Sequence, residues 1–141
     1  MKYVIVYWSR YGNGKKIVDN LSKKLKEKKG KIQTYNTEEV DPTSMPDADV
    51  YIFSAPTEAF SIQKNMKKFM KNLKGMEEKN YGIINTHAMK KNTLHKMEKI
   101  LSNKKMIKIA EIDFQVGEGS KTGDGIINNW ELELEDFVKK L

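Results

Sequence analysis

The stretch that decides the fold is YVIVYWSRYGNGKK, which occupies residues 3–16. Its first six residues are apolar or aromatic and predict a buried strand. A polar turn with two glycines follows, and a 3.6-residue apolar period then begins at Ile17 and Val18. Many α/β proteins hold a phosphate group where a strand turns directly into a helix. The stretch therefore predicts an α/β fold with a phosphate site at its first turn.

Strand and helix patterns alternate along the rest of the chain. Apolar runs predict four more strands, at residues 31–35, 50–54, 81–85 and 107–114. Helical spacing of apolar residues predicts helices that include Ile17 to Leu25, Ile62 to Leu73, Leu94 to Leu101 and Ile127 to Leu141. Pro42 and Pro46 leave at most a turn or two of helix in residues 37–49. The alternation predicts a three-layer α/β sandwich, a parallel sheet with helices on both faces, and we expect residues 1–141 to form a single domain.

Composition excludes several classes of protein. The chain has no cysteine, so disulfides, thiolate catalysis and iron–sulfur ligation are excluded, and any redox chemistry must come from an organic cofactor. No apolar run is long enough to cross a bilayer, and the first apolar segment is too short for a secretory leader. We therefore expect a cytoplasmic protein with no membrane partner.

Charge is unevenly distributed along the chain. The formal net charge is +7, yet residues 110–141 contain eight acidic and three basic residues, against 23 basic and 11 acidic in the remainder. The lysine clusters are either solvated helix faces or a nucleic-acid surface. Arg10 is the only arginine and aromatic residues do not alternate with the lysines, so nucleic acid is the less favoured partner. A positive body instead predicts acidic protein partners, and the sequence does not fix the oligomeric state.

Motif spacing separates the first turn from other phosphate sites. A P-loop would need glycine at Ser9 and a hydroxyl residue at Lys16, and a dinucleotide fingerprint would need glycine at Ile17. His87 and His95 lack a metal-ligand spacing, and no nucleophile elbow occurs. The sequence therefore predicts neither a metal site nor a catalytic residue. In a parallel sheet the ligand lies beyond the carboxyl ends of the strands, which here are followed by residues 9–15, 55–61 and 86–91.

These residues carry a family resemblance. YWSRYGNG at residues 7–14 and Ser54-Ala55-Pro56-Thr57 resemble the phosphate loop and the small-residue-Pro-Thr turn of the flavodoxins. The resemblance covers essentially the whole chain, whose length is that of the short-chain members. It implies a five-stranded parallel sheet of order 2-1-3-4-5, one noncovalent FMN, and one-electron transfer between redox partners.

The resemblance also implies the residues of the site. The phosphate loop would be Ser9, Arg10, Tyr11, Gly12, Asn13 and Gly14, and the flavin would be bordered by Pro56, Thr57, Glu58, Phe60, Thr86, His87, Ala88 and Met89. Helix N-terminal amides and the two glycines favour a phosphate there on physical grounds as well. Tyr11 and Gly14 stand where the family has threonines, so Arg10 or Lys15 could compensate by charge.

Several interpretations remain open at this stage. Phe60 could stack on the flavin or pack in the core, and His87 could lie beside the ring or be an ordinary surface residue. The protein could instead be an FMN enzyme acting on a quinone or porphyrinogen, or an interaction module without flavin. A positive body predicts a higher hydroquinone potential than in acidic flavodoxins, unless local carboxylates such as Glu58, Glu118 and Asp124 outweigh distant lysines.

Overall fold

The computed structural model describes residues 1–117, 123, 125–127 and 129–141. Glu118 and Asp124, two of the carboxylates expected to influence the flavin, lie outside the described residues. Within the described ranges the strands are β1 (Lys2–Tyr7), β2 (Lys31–Asn36), β3 (Val50–Glu58), β4 (Ser61–Ile62), β5 (Asn80–His87) and β6 (Ile107–Gln115). The helices are α1 (Asn13–Glu27), α2 (Lys64–Lys71), α3 (Leu94–Asn103) and α4 (Trp130–Lys139).

The five long strands form a parallel sheet of order β2-β1-β3-β5-β6. If β4 is left out and the five long strands are numbered in chain order, the order is the predicted 2-1-3-4-5. The predicted fold class is therefore confirmed. The short strand β4 was not predicted. It pairs antiparallel with the end of β3, where Glu58 faces Ser61, because β3 continues past Pro56 before the chain turns back.

Two apolar clusters cover the two faces of the sheet. Side chains alternate along a strand, so Val4 and Val6 of β1 face one cluster while Tyr3 and Ile5 face the other. The first cluster contains the buried faces of α2 and α3, and the second contains those of α1 and α4. Each fully buried aliphatic or aromatic side chain contributes about 1.5–3 kcal/mol to folding, so the apolar periods of the sequence account for the three layers.

The structure corrects some of the predicted helix boundaries. Ile62 belongs to β4, and Leu73 is buried beyond the end of α2. Ile127 precedes α4 and is exposed, whereas Trp130 and Phe137 belong to the buried face of that helix. Residues 37–49 contain turns and no helix. In the described ranges, no helix combines the length and the apolar character that crossing a bilayer requires.

Candidate functional site

A cavity of about 310 Å³ opens at the carboxyl ends of β1, β3 and β5. Among the described residues it is lined by the three predicted loops together with two side chains that the prediction did not include. The lining residues are Trp8, Ser9, Arg10, Tyr11, Asn13, Gly14, Pro56, Thr57, Glu58, Ala59, Thr86, His87, Ala88 and Val116. The structure thus brings most of the predicted site residues to one cavity of the size that ligand pockets have.

The turn after β1 is built around Ser9 and Gly12. Gly12 has a φ of 98°, which an L side chain rarely adopts, and α1 begins at the next residue. Ser9 Oγ accepts hydrogen bonds from the backbone N–H groups of Gly12, at 3.2 Å, and Lys15, at 3.3 Å. The serine side chain therefore stabilises the turn, and its O–H group remains available to donate a hydrogen bond to a ligand.

Two backbone donors belong to residues of this turn that line the cavity. Within the described part of the chain, the N–H groups of Tyr11 and Gly14 have no hydrogen-bond acceptor. They lie at the positive end of the dipole of the 15-residue helix α1. Such amides are the donors that hold phosphate groups at helix N-termini.

Lys15 and Asn13, two residues near the predicted phosphate site, both have protein partners. Lys15 Nζ pairs with the Asp19 carboxylate one turn further along α1, at 2.9 Å, and this hydrogen bond raises the pKa of the lysine. Asn13 is buried, and its Oδ1 accepts a hydrogen bond from Gly125 N–H at 3.0 Å. Asn13 therefore ties the turn to the segment that precedes α4.

Arg10 reaches across the mouth of the cavity to the end of β3. Its Nε and Nη2 donate to the two carboxylate oxygens of Glu58 at 2.7 and 2.8 Å. This hydrogen-bonded pair raises the pKa of the guanidinium. The guanidinium carbon also lies 4.8 Å from the ring centroid of Trp8, within the range of a cation–π contact. The charge of Arg10 is therefore balanced by a neighbouring carboxylate.

A tight hairpin turn joins β3 to β4. Ala59 and Phe60 are its two central residues, with φ values of 49° and 62°, as in a type I′ turn. The Phe60 side chain is 72% exposed, so the alternative that it packs in the core is wrong. Phe60 does not line the 310 Å³ cavity and instead lines a neighbouring groove. Its predicted stacking on a flavin stays a prediction.

A buried polar network lies under the second loop. Asn85 Nδ2 donates to the Ala55 carbonyl and to Thr93 Oγ1, both at 3.0 Å. Asn85 Oδ1 accepts from Thr93 N–H at 3.0 Å and from Thr57 Oγ1 at 3.1 Å. The Thr57 proton is thereby used, so the 3.0 Å contact between the two hydroxyls makes Thr93 the donor. Thr57 keeps a lone pair with which it can accept a hydrogen bond from a ligand.

His87 is buried at the end of β5 with an acceptor at each ring nitrogen. Its side chain is 4% exposed, so the alternative of an ordinary surface histidine is wrong. Nδ1 lies 2.5 Å from the Met89 carbonyl, and Nε2 lies 2.6 Å from Asp113 Oδ2. Because a carbonyl only accepts, Nδ1 carries a proton. Thr86 and Ala88 flank His87 in the cavity wall, whereas Met89 is 61% exposed.

Five participating residues were missed in the sequence. Trp8 was placed in the first strand and in the resembling segment but not among the site residues, and Asn85 and Thr93 were assigned no role. Asp113 lies on β6 beside the end of β5, and Val116 follows β6 in the cavity wall. A signal existed for one of them. Asn85 is a polar residue at the end of an otherwise apolar strand pattern, and Asp113 lies opposite it in the sheet register.

Comparison with known proteins gives the same fold. The model of a family described as "Flavodoxin domain" matches residues 4–116. The structure of a flavodoxin from Streptococcus pneumoniae TIGR4 is similar with a TM-score of 0.81 at 19% identity, covering 100% of this chain and 97% of that one. A flavodoxin from the domain Archaea is similar with a TM-score of 0.75 at 16% identity, covering 99% and 98%.

A larger protein contains the same fold. The rubredoxin oxygen:oxidoreductase of Desulfovibrio gigas is similar with a TM-score of 0.79 at 14% identity, over 99% of this chain and 34% of that one. No protein of curated function matches the sequence. These identities are too low to transfer anything beyond the fold.

Proposed function

The chain belongs to the flavodoxin domain family, and from this premise we propose that it binds one FMN noncovalently and carries single electrons between redox proteins in the cytoplasm. One observation supports the proposal above the others. Tyr11 and Gly14, whose amides are unpaired among the described residues around the N-terminus of α1, line the same cavity as the polar end of β3 and the buried imidazole of β5. We further propose that residues 1–141 act as one domain.

The residues present fit an FMN phosphate despite the missing threonines. The Tyr11 and Gly14 amides and the Ser9 hydroxyl supply three donors, and glycine at position 14 leaves the main chain uncovered. A Cβ at Gly14 would lie 3.6 Å from Ser9 Oγ, so a side chain there would stand among these donors. Backbone donors and the helix dipole therefore replace the hydroxyl ligands of other members.

The remaining lining residues suit the rest of the cofactor. Thr57 Oγ1 can accept a hydrogen bond from a ribityl hydroxyl, while Asn85 fixes its position from below. His87 holds a proton at Nδ1 against the Met89 carbonyl and faces the Asp113 carboxylate with Nε2. Bound FMN supplies the one- and two-electron redox chemistry that a chain without cysteine lacks.

The charges around the cavity favour a negatively charged reduced cofactor. Among the described lining residues Glu58 is the one carboxylate, and Arg10 neutralises it. The charge of the described lining carboxylate is therefore balanced, and the net positive body adds to this effect.

Titration with two flavins tests the proposal. The flavin-free protein is titrated with FMN and with riboflavin while flavin fluorescence is followed. Quenching by FMN with much weaker binding of riboflavin supports a phosphate held by the Ser9–Gly14 turn. Absence of quenching by either flavin contradicts the proposal and favours the interaction module without flavin.

A second candidate function is an FMN enzyme that reduces a quinone or oxidises a porphyrinogen. A groove of about 870 Å³ beside the cavity supports it, because such an enzyme needs room for a second ring system. Steady turnover of one of these substrates by the FMN-loaded protein, with a suitable reductant or oxidant, would favour the enzyme. Fast single-electron exchange with redox proteins in the absence of turnover favours the carrier.

A further inference from the structure

His87 has more hydrogen-bond acceptors around it than a neutral imidazole can satisfy. Nδ1 lies 2.5 Å from the Met89 carbonyl oxygen, and Nε2 lies 2.6 Å from Asp113 Oδ2. A carbonyl oxygen and an ionised carboxylate only accept, whereas a neutral imidazole has one N–H group and one lone pair. With Nδ1 donating to Met89, a neutral ring would direct the lone pair of Nε2 at the carboxylate oxygen. The contact therefore needs one further proton between Nε2 and Oδ2.

The two members of this contact differ in their access to water and to the cavity. The His87 side chain is 4% exposed, and His87 lines the 310 Å³ cavity. The Asp113 side chain is 40% exposed, and in the part of the chain that the structure describes Asp113 lines a groove along β6 and not the cavity. Burying an imidazolium is costly unless a hydrogen-bonded carboxylate compensates it. Asp113 supplies that carboxylate from the edge strand of the sheet.

The sheet register brings the two side chains together. In the parallel pairing of β5 with β6, Asn85 lies opposite Asp113. His87 is two residues beyond Asn85, and side chains two residues apart on a strand share a face. His87 and Asp113 are therefore diagonal neighbours on one face of the sheet. The backbone of His87 is held separately, because its carbonyl accepts a hydrogen bond from Val116 N–H at 2.9 Å. Removing the charge of Asp113 should therefore leave the strand in place.

From this geometry we propose that Asp113 is a positioning residue that holds His87 as an imidazolium, with a proton on each ring nitrogen, in the wall of the cavity. The inference rests on the proposed FMN site and adds the charge of its histidine and the residue that sets that charge. A proton between an imidazolium and a carboxylate makes a charge-assisted hydrogen bond, which is short and strong. Because His87 lines the cavity and Asp113 does not, the pair presents its positive member to the cofactor.

Other charges near His87 do not take the place of Asp113. The remaining charged or titratable residues of the described cavity wall and of the chain that follows His87 are Arg10, Tyr11, Glu58, Lys90 and Lys91. Arg10 and Glu58 pair with each other. Lys90 and Lys91 are exposed. Within the described ranges, Asp113 is thus the carboxylate at ion-pair distance from His87.

Nitrogen NMR of the flavin-free protein tests the number of protons directly. Long-range proton–nitrogen spectra distinguish a ring nitrogen that carries a proton from one that carries a lone pair. At about pH 7.5, where an exposed imidazole is mostly neutral, both ring nitrogens of His87 should be protonated. His95, the other histidine, is exposed on α3 and is the reference for a neutral ring in the same sample. A neutral His87 with a proton on Nδ1 alone overturns the inference.

Two variants of Asp113 and a matched control separate charge from structure. Asp113→Asn keeps the shape of the side chain, and its amide can donate to Nε2, so His87 should lose one proton and become neutral. Asp113→Glu keeps a carboxylate at this partly exposed edge position and should keep the second proton. Glu111→Gln removes the same charge two residues earlier on β6, where Glu111 pairs with Lys108, and should leave His87 doubly protonated. A ring that stays doubly protonated in Asp113→Asn, or loses a proton in Glu111→Gln, contradicts the role of Asp113.

Reductive titration of the FMN-loaded variants shows whether this charge acts on the cofactor. Asp113→Asn should lower the equilibrium constant for reducing bound FMN about twofold to fivefold, because the imidazolium in the cavity wall is lost while the net charge of the pair stays the same. Glu111→Gln removes a negative charge and should not lower this constant. An unchanged constant in Asp113→Asn, together with a neutral His87, overturns the proposed action on the cofactor.

The outcomes separate this inference from the proposed function. Failure of the unaltered protein to bind FMN contradicts the proposed function itself, because the NMR measurement on His87 needs no flavin. A neutral His87 in a protein that binds FMN overturns the inference and leaves the proposed function standing.

Discussion

Arg10 and Glu58 form a two-pronged ion pair that joins the turn after β1 to the end of β3, with N–O distances of 2.7 and 2.8 Å. The pair spans the mouth of the cavity that we propose for FMN. Both side chains are partly exposed, so the pair itself adds little to stability. Its importance is electrostatic, because the one carboxylate among the described lining residues is neutralised by the arginine of the phosphate turn itself.

Glu58→Gln should strengthen FMN binding. The change leaves an amide that can still accept one hydrogen bond from Arg10, and it leaves the guanidinium charge uncompensated beside a dianionic phosphate. We expect FMN affinity to rise about twofold to fivefold at low salt, an effect on the scale of an exposed charge pair. Riboflavin, which lacks the phosphate, is the control and should bind as before. Equal changes for both flavins would contradict this electrostatic account.

Gly12→Ala and Gly14→Ala should have opposite effects on folding. At Gly12 a Cβ has space but the φ of 98° disfavours it, so we expect a loss of about 1–2 kcal/mol in the free energy of unfolding. Gly14 lies inside α1, and its Cβ would make an ordinary contact with Ser9 Oγ, so alanine there should be neutral or stabilising by up to about 1 kcal/mol. Urea unfolding of both variants measures the difference. A Gly14→Ala variant that is the less stable of the two would show that the turn is misassigned.

Asn85→Ala should be strongly destabilising. The side chain is fully buried and makes four hydrogen bonds, so its removal leaves the Thr93 N–H and the Ala55 carbonyl without this partner. We expect a loss of about 2–4 kcal/mol and weaker FMN binding, because Thr57 loses its acceptor. Asn72→Ala is the matched control, since that exposed amide makes one hydrogen bond, to the Lys68 carbonyl. Similar costs for the two variants would mean that the network is unimportant.

The hydroquinone couple of bound FMN should lie at a higher potential than in acidic flavodoxins. The cavity has no uncompensated described carboxylate, and the chain carries a net charge of +7. Arg10→Gln frees the charge of Glu58 and should lower the potential by an amount on the order of 1 kcal/mol per electron. Reductive titration at physiological salt measures both values. A couple as low as that of an acidic flavodoxin in the unaltered protein would rule out this expectation.

Alkaline pH should destabilise the fold through Tyr81. Its side chain is 1% exposed, and burial raises the pKa of the phenol to about 12. Because the folded-state pKa lies above the unfolded value of about 10, the neutral phenol contributes stability below pH 10, and that contribution is lost as the pH rises toward 12. The loss amounts to about 2–3 kcal/mol. Tyr81→Phe should therefore show a smaller fall in unfolding free energy between pH 9 and pH 12, measured with urea, and an equal fall in both proteins would contradict this assignment.

The sequence by itself determined the layers, the strand order through family resemblance, and the edge of the sheet at which the cavity lies. The layers and the edge follow from local patterns, because apolar runs, helical apolar periods and the two glycines of the first turn act within a few residues of each other, whereas the strand order came from the resemblance. The turn after β1, the end of β3 and the end of β5 were therefore identified correctly as neighbours.

Only the tertiary structure decided what the side chains at that edge contact. Arg10 pairs with Glu58, which is 48 residues away in the sequence, and His87 contacts Asp113, which is 26 residues away. The hairpin that exposes Phe60 exists because β3 continues past its predicted end and its last residues find a partner in β4. Such contacts depend on the register between strands and on where each strand ends, to within one residue. A one-residue shift turns a side chain to the other face of the sheet, and a local sequence pattern does not carry that precision.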